Sequence, residues 1–497
     1  MTTIETPADL TSVKDPFVEK LQTQALHIGA DNMADVYRER IDEALRDNNA
    51  LNRRREANLE NDTVEALKEK IERSGVEYIY YQLPTLRSRT VAKMVPAKHI
   101  VRNLENGVKF TRNALMDFQN DVFGNPIGAD IHSKEFLGMP EPETFDALPW
   151  DTQVGRIFVT AYEPEHLSTV GGRPNALDAR ANMKRTHALM QEVFGYTMKS
   201  GTEPEMVWVG ESITPKLIPG YNPAYQVEYL EGMRPIYKRV HEYANALGFN
   251  MIEGDYEDRG QIELNWMFDD IELTADRLVT YRQICSQVAR EFGVEASFMP
   301  KPFLGEMGAG CHHNVSLWDK DGENIFAVPG VSELHLSQLG RWAIGGVLKH
   351  APSMMLVFAS TVNSYKRFWD PGQFAPARAD WGLDDRASMI RISANGRAEI
   401  RVPDASVNPY LSHALITAAM ADGIGNRIEP PAAGEAGPAL PRTLGEAVDA
   451  FRENDFASRH LPDEMAEVFL EMKSNEWAQY CGTVSQWEFD QYWQAIP

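Results

Sequence analysis

The chain has 497 residues, with 49 Lys plus Arg against 72 Asp plus Glu, a formal charge of −23. A surface this acidic repels phosphate backbones and excludes a general nucleic-acid binder, yet leaves open an ATP enzyme in which local arginines and metal ions hold the phosphates. With 43% hydrophobic and 24% charged residues the chain has material for a sizeable core, and at ~150 residues per domain the length predicts about three units.

The start, Met1 to Glu5, carries neither a basic n-region nor an apolar h-region, so no secretory signal is expected. The most apolar run, Ala351 to Ser360, is too short to span a bilayer, so no membrane partner is expected. Cys285, Cys311 and Cys481 are odd in number, widely spaced and without zinc spacing, which suits a reducing cytoplasm.

Residues 1–74 read as a helical extension. Leu21 to Leu45 scatters apolar positions among charges, and Thr63 to Arg73 repeats them at Val64, Leu67 and Ile71 until Gly75 ends the pattern. A solvated or oligomer-facing arm is the expected role. Residues 75–165 form a β-rich unit, with strands predicted over Val76–Gln82 and Thr90–Val95 and a Gly- and Pro-rich loop region over Asn120–Pro149. Residues 166–497 form the larger unit, which opens with an amphipathic segment, Asp178 to Phe194. Pro430 to Pro441 reads as an exposed loop, and Leu444 to Gln494 as a helical tail in which Trp477, Trp487 and Trp493 are expected to pack.

Four segments of the larger unit put charged groups on one strand face, because residues two apart point the same way. Glu203 and Glu205 share a face, as do Gln261 and Glu263. His312, Asn314 and Ser316 share another, with His313 on the packed side. Arg397, Glu399 and Arg401 share a fourth, with Ala398, Ile400 and Val402 behind them. Any one of these suits the solvent face of an antiparallel sheet. Together, carboxylates with an imidazole are ligands for divalent cations, and guanidiniums beside them bind phosphate and carboxylate. Gly305, Gly308 and Gly310 precede His312 and allow close backbone approach to a ligand.

The order of these segments resembles the glutamine synthetase family. The resemblance is carried by Glu203-Pro204-Glu205, Gly260-Gln261-Ile262-Glu263, Phe298 to Pro302 leading to Gly308-Ala309-Gly310-Cys311-His312, Asn363 to Arg367, Arg386, Arg391, Arg397 to Arg401, and Pro403-Asp404 to Asn408-Pro409-Tyr410. It implies an α+β fold, with an N-terminal β-grasp domain and a catalytic domain built on a curved antiparallel sheet with helices. It also implies stacked rings of subunits, often dodecamers, with active sites between neighbours. The implied reaction is ATP-dependent: the γ-carboxylate of L-glutamate takes the γ-phosphate of ATP, and an amine displaces the phosphate.

By resemblance, Glu205 and Glu263 are ligands of one Mg2+ or Mn2+, and Glu203, His312 and Glu399 of a second, in a set of two or three ions. The remaining ligand of the first ion is Asp255, eight residues before Glu263, or Glu257 as the alternative. Arg367 and Arg401 correspond to the arginines that grip glutamate and the transferring group. Arg386, Arg391 and Arg397 correspond to the phosphate side, Gly308 to the backbone position at the substrate amino acid, and Ser316 to a residue near adenine or ribose.

Four positions depart from the family pattern. The β-grasp turn Leu83 to Arg89 has no acid where the family has an Asp, and Phe374 stands where it has a Glu. Met307 replaces an Asn, and Asn314 replaces a His that contacts phosphate. The two lost carboxylates would have captured and deprotonated ammonium, a cation at neutral pH. Their absence points to a neutral organic amine, aniline-like or otherwise apolar, on which Trp369 and Phe374 could stack. Ammonia as substrate, in an unusual site, and a non-catalytic structural or regulatory role stand as alternatives.

Overall fold

The computed structural model describes residues 33–129, 132–211, 213, 222–370 and 374–495. The stretch of the helical extension before Met33, with Leu21, lies outside these, as does Gln373.

Three helices, Met33–Leu45, Ala50–Asn58 and Asn61–Ser74, open the described chain. The last stops where Gly75 takes a left-handed conformation (φ 69°), as the sequence pattern predicts. The expected solvated arm is corrected. Tyr37 and Ile41, one helical turn apart, are buried, and the Tyr37 ring meets His460 at 5.6 Å. Leu51, Leu67 and Ile71 are buried as well. Their apolar spacing is a packing stripe, and the charges between them take the outer faces.

A six-stranded sheet follows, made of β1 (Tyr78–Pro84), β2 (Thr90–Pro96), β3 (Val108–Phe110), β4 (Phe136–Pro140), β5 (Asp146–Leu148) and β6 (Asp151–Tyr162). The order is β2-β1-β6-β4-β3, with β5 also on β6. β1 and β6 are parallel and the other pairs antiparallel. Residues 120–149 are therefore not loop throughout. β4 and β5 lie inside them, and all five β4 residues are buried. Pro and Gly hid these short strands because both residue types also make turns.

The second sheet has nine strands among the described residues: β7 (Tyr196–Val209), β8 (Met251–Asp258), β9 (Gln261–Trp266), β10 (Asp269–Asp270), β11 (Glu295–Ser297), β12 (Cys311–Asp319), β13 (Trp381–Leu383), β14 (Ile390–Ile392) and β15 (Ala398–Ile400). The order is β13-β14-β15-β12-β7-β9-β8, with β10 and β11 against β7. All pairs are antiparallel except β13 with β14. Helices Ala179–Phe194, Ile271–Phe292, Gln338–Phe358 and Pro409–Gly425 bury apolar faces in the core. The first is the amphipathic segment read from sequence, capped by Asp178, which accepts from the Ala181 amide at 2.9 Å. His313 and Cys311 are packed, as their strand face requires: His313 stacks on His413 at 4.5 Å and bonds Ser412 at 2.9 Å.

A buried ionic network ties the small sheet to these helices. Arg180 lies 2.7 Å from Glu141, just beyond β4, and donates two hydrogen bonds of 2.8 Å to Asp276, which also accepts from Tyr410. Although burial works against its charge, the Glu141 carboxyl is held below the ordinary range by Arg180 and Lys184. Breaking a buried pair strands the remaining charge, at a cost of ~3–5 kcal/mol. Arg180→Ala is expected to lower the thermal midpoint by several degrees. Because the Glu141 value is depressed on folding, its contribution is present above the unfolded carboxyl value and is lost as pH falls through the acid range. A thermal melt of the wild type and R180A from pH 7 down to about pH 2.5 checks both statements.

The tail folds as helices Leu444–Glu453, Asp455–His460, Asp463–Cys481 and Gln486–Tyr492. Trp477 packs on the core, but Trp487 and Trp493 are 62% and 72% exposed, so their expected packing role is corrected. Trp487 meets the Tyr492 ring and Trp493 the Phe489 ring, both aromatics of the same terminal segment. Among the described residues no helix is long and apolar enough to cross a membrane.

Candidate active site

Strand register assembles the charged faces into one row. Glu203 on β7 is paired with His312 on β12, and Asn314 on β12 with Glu399 on β15. On the other side of β7, Glu205 is paired with Glu263 on β9, which in turn faces Asp255 on β8. Directly opposed side chains sit ~5 Å apart, so five adjacent strands bring an acidic row together from segments up to about 200 residues apart.

The geometry is tight at its centre. His312 Nδ1 lies 3.3 Å from Glu203 Oε2 and 3.5 Å from Glu399 Oε1, and Nε2 lies 3.9 Å from Glu205 Oε1. One ligand atom each from Glu203, His312 and Glu399 fall within 4.8 Å of one another, a spacing that suits a divalent cation. Other contacts fix the carboxylates. Glu205 accepts from Gln261 at 2.9 Å and from the Gly310 amide at 2.7 Å. Glu263 accepts from Asn265 at 2.6 Å, and Glu203 from Asn314 at 2.7 Å. The backbone at Gly310 comes so close that a Cβ there would lie 2.9 Å from His312 Nε2.

A cavity of about 500 Å³ opens over this row. It is lined by Glu203, Glu205, Asp255, Glu257, Glu263, His312 and Glu399, and by Gly308, Arg367, Phe374, Arg386, Arg391 and Arg401. Arg391 lies 3.1 Å from Glu399, which Arg401 also pairs. Arg401 Nε donates to the Arg386 carbonyl at 3.1 Å. Arg367 is buried, donates to the Val402 carbonyl at 3.2 Å, and has an Nε with no hydrogen-bond partner among the described residues. Gly308 must be glycine, since a Cβ would sit 2.7 Å from Arg367 Cγ.

Four sequence-predicted residues are not brought to the cavity wall. Asn314 donates to Glu203 at 2.7 Å. Ser316 accepts from the Trp318 indole at 2.9 Å. Arg397 is exposed and reaches Ser393 at 3.3 Å. The Trp369 ring lies under the Arg442 guanidinium at 3.8 Å, and its Nε1 donates to the Arg442 carbonyl at 2.8 Å.

The lining also includes Glu253, Tyr225 and Met307. Glu253 shares a strand face with Asp255 and Glu257, so the period-two rule could have found it. Tyr225 has φ 61°, a conformation that sequence does not announce in a tyrosine.

Electrostatically the row is overloaded with acid. Burial, then the Glu203 and Glu205 charges, push Glu263 well above the carboxylate range. Burial, then Glu205 and Asp255, push Glu257 up to about 8, and burial raises Asp255. Glu203 runs the other way: burial would raise it, but the His312 hydrogen bond and charge outweigh that and lower it. Packed carboxylates that cannot all ionise alone form a donor set that divalent cations neutralise. The residues present therefore fit bound Mg2+ or Mn2+. Asp255 stands directly opposite Glu263 and carries a buried Oδ1 without a hydrogen-bond partner among the described residues, while Glu257 lines the same cavity.

The model of the glutamine synthetase catalytic domain matches residues 176–492. The chain belongs to the glutamine synthetase family. It is 30% identical over 437 residues to the glutamine synthetase of Rhizobium leguminosarum bv. phaseoli, covering 84% of this chain and 96% of that one. With the Halobacterium salinarum glutamine synthetase it shares 31% over 461 residues, covering 87% and 96%. Among solved structures it is similar to a GmaS/ADP complex at TM-score 0.77 and 30% identity, covering 86% of this chain and 99% of that one. As a member of this family the protein is an ATP-dependent carbon–nitrogen ligase with the family's α+β fold. Glutamine synthetases use divalent metals with ATP, glutamate and ammonia or an amine, and usually form oligomeric rings.

Proposed function

We propose that the protein joins the γ-carboxylate of L-glutamate to a small organic amine, aniline-like or otherwise apolar, through γ-glutamyl phosphate. One observation supports this reading most: Phe374 lines the cavity at the position where the family pattern has a carboxylate. Ammonium needs such a carboxylate to bind and lose a proton, whereas an arylamine is already neutral near pH 7 and gains from an aromatic wall.

In this reading Glu203, His312 and Glu399 would hold one divalent ion, and Glu205, Glu263 and either Asp255 or Glu257 another. Bound Mg2+ or Mn2+ offsets the repulsion between an anionic nucleophile and ATP. Arg367 and Arg401 grip glutamate, with Gly308 giving its backbone to the amino-acid end. Arg386 and Arg391, from the cavity wall, and Arg397 and Ser316, outside it, take the nucleotide side. A γ-carboxylate oxygen attacks the γ-phosphorus and ADP leaves. The amine nitrogen then attacks the acyl carbon, loses a proton, and phosphate leaves. The same reading puts domain borders at 74/75 and 165/166, sites between neighbours in a dodecamer of stacked rings, and the protein in the cytoplasm.

Ammonia is the second reading. Glu253 on the cavity wall is one acid that could serve it, and Asp117, which accepts from Thr85 of the β1–β2 turn at 3.0 Å, is another.

Two measurements test the assignment. Sustained ADP production over many turnovers should require both glutamate and an amine, since the acyl phosphate must be discharged before the next cycle; ATP turnover indifferent to both, or no turnover at all, would leave the non-catalytic reading. Mg2+ or Mn2+ with an ATP analogue at ~100 times Kd should add about 2.7 kcal/mol of stability, read as a raised thermal midpoint that EDTA abolishes.

A further inference from the structure

We propose that Lys301 is a positioning residue whose ammonium ties the glycine-rich segment 305–310 to Asp370 and so fixes the spacing of Gly308 and Arg367 across the cavity. The inference rests on the reading that Gly308 and Arg367 hold the acid substrate.

Lys301 is buried, with only 4% of its side chain exposed. Its Nζ lies 2.6 Å from Asp370 Oδ2 and donates to the Glu306 carbonyl. Asp370 follows the short turn Ser364–Phe368 that carries Arg367, and Glu306 is two residues before Gly308. One ammonium therefore reaches both segments, as an ion pair with Asp370 and a hydrogen bond to the Glu306 carbonyl. The Lys301 contact holds the Asp370 carboxyl below the ordinary range.

The backbone of Lys301 repeats the connection. Its N–H donates to Asn363 Oδ1 at 2.7 Å, and Asn363 Nδ2 donates back to its carbonyl at 3.0 Å. The adjoining Pro300 carbonyl accepts the Ala309 amide at 2.7 Å. Gly308 is thus enclosed, with Arg367 Cγ and the Pro300 carbonyl occupying the space a Cβ would need. No slack remains between the two walls, so loosening either changes the distance a bound acid must span. A lysine does this where a methionine of similar reach could not, because the tie is one charge shared by a carboxylate and a carbonyl.

The test compares Lys301→Met, Asp370→Asn and the double variant K301M/D370N with wild type and with Arg367→Lys. The quantities are KM for glutamate, KM for ATP, kcat and the thermal midpoint. Misplacing a binding wall is expected to raise KM for glutamate by about tenfold in every Lys301 or Asp370 variant that folds, with KM for ATP changed less than about twofold. Asp370 is nearer solvent, so D370N decides the matter if K301M does not fold. A folded D370N or double variant with glutamate KM within about twofold of wild type overturns the inference, provided R367K raises it. If R367K also leaves glutamate KM unchanged, the reading of Arg367 fails, and the inference with it.

Discussion

Glu399→Gln is expected to reduce amide formation by about 10³-fold, equivalent to about 4 kcal/mol of transition-state stabilisation, in a protein that still folds. Glu399 is buried between His312 at 3.5 Å, Arg391 at 3.1 Å and Arg401. Glutamine keeps the shape and one acceptor oxygen but removes the charge. The cation site would lose the charge of one of its three ligands, and the two guanidiniums would lose their shared counter-charge. The stability cost should be ~1–3 kcal/mol, since some hydrogen bonding survives. Turnover measured beside a thermal melt separates the two effects. Activity within about tenfold of wild type would remove Glu399 from the proposed machinery.

Phe374→Glu carries the second large effect, on selectivity rather than rate. A carboxylate at this half-exposed position can pair with ammonium and take its proton, and an arylamine loses its aromatic wall. The ratio of kcat/KM for ammonium to that for an arylamine should rise about 100-fold, a change of about 2.7 kcal/mol. Competition between ammonium and aniline, with both amides quantified, reads that ratio directly. An unchanged ratio in the folded variant would mean that Phe374 does not face the amine.

The chemistry of the cavity was legible in the sequence because strand alternation exposes it. Glu203 with Glu205, and His312 opposite His313, follow from period two alone, and the structure keeps those faces. What alternation cannot give is register, which sets Glu399 beside His312 and Asp255 beside Glu263 although the partners are distant in sequence. Trp369 shows a different limit. Its position suggested an aromatic wall, but Arg442 offers both a cation for its face and a carbonyl for its indole, and the ring goes there. The helical extension misled because charges are interleaved with its apolar positions, whereas Tyr37 and Ile41 on one helix and Leu51 on the next need only a narrow stripe each to dock. The tail misled the opposite way: Trp487 and Trp493 are apolar yet stay exposed.

The central claim is a preference for an organic amine, and the most direct measurement is kcat/KM for amide formation with glutamate and ATP across a panel of ammonium, alkylamines and arylamines at one pH. The account predicts that at least one apolar amine, with arylamines foremost, exceeds ammonium by about tenfold or more. Glutamine formed from ammonium as fast as any amide on the panel would contradict it.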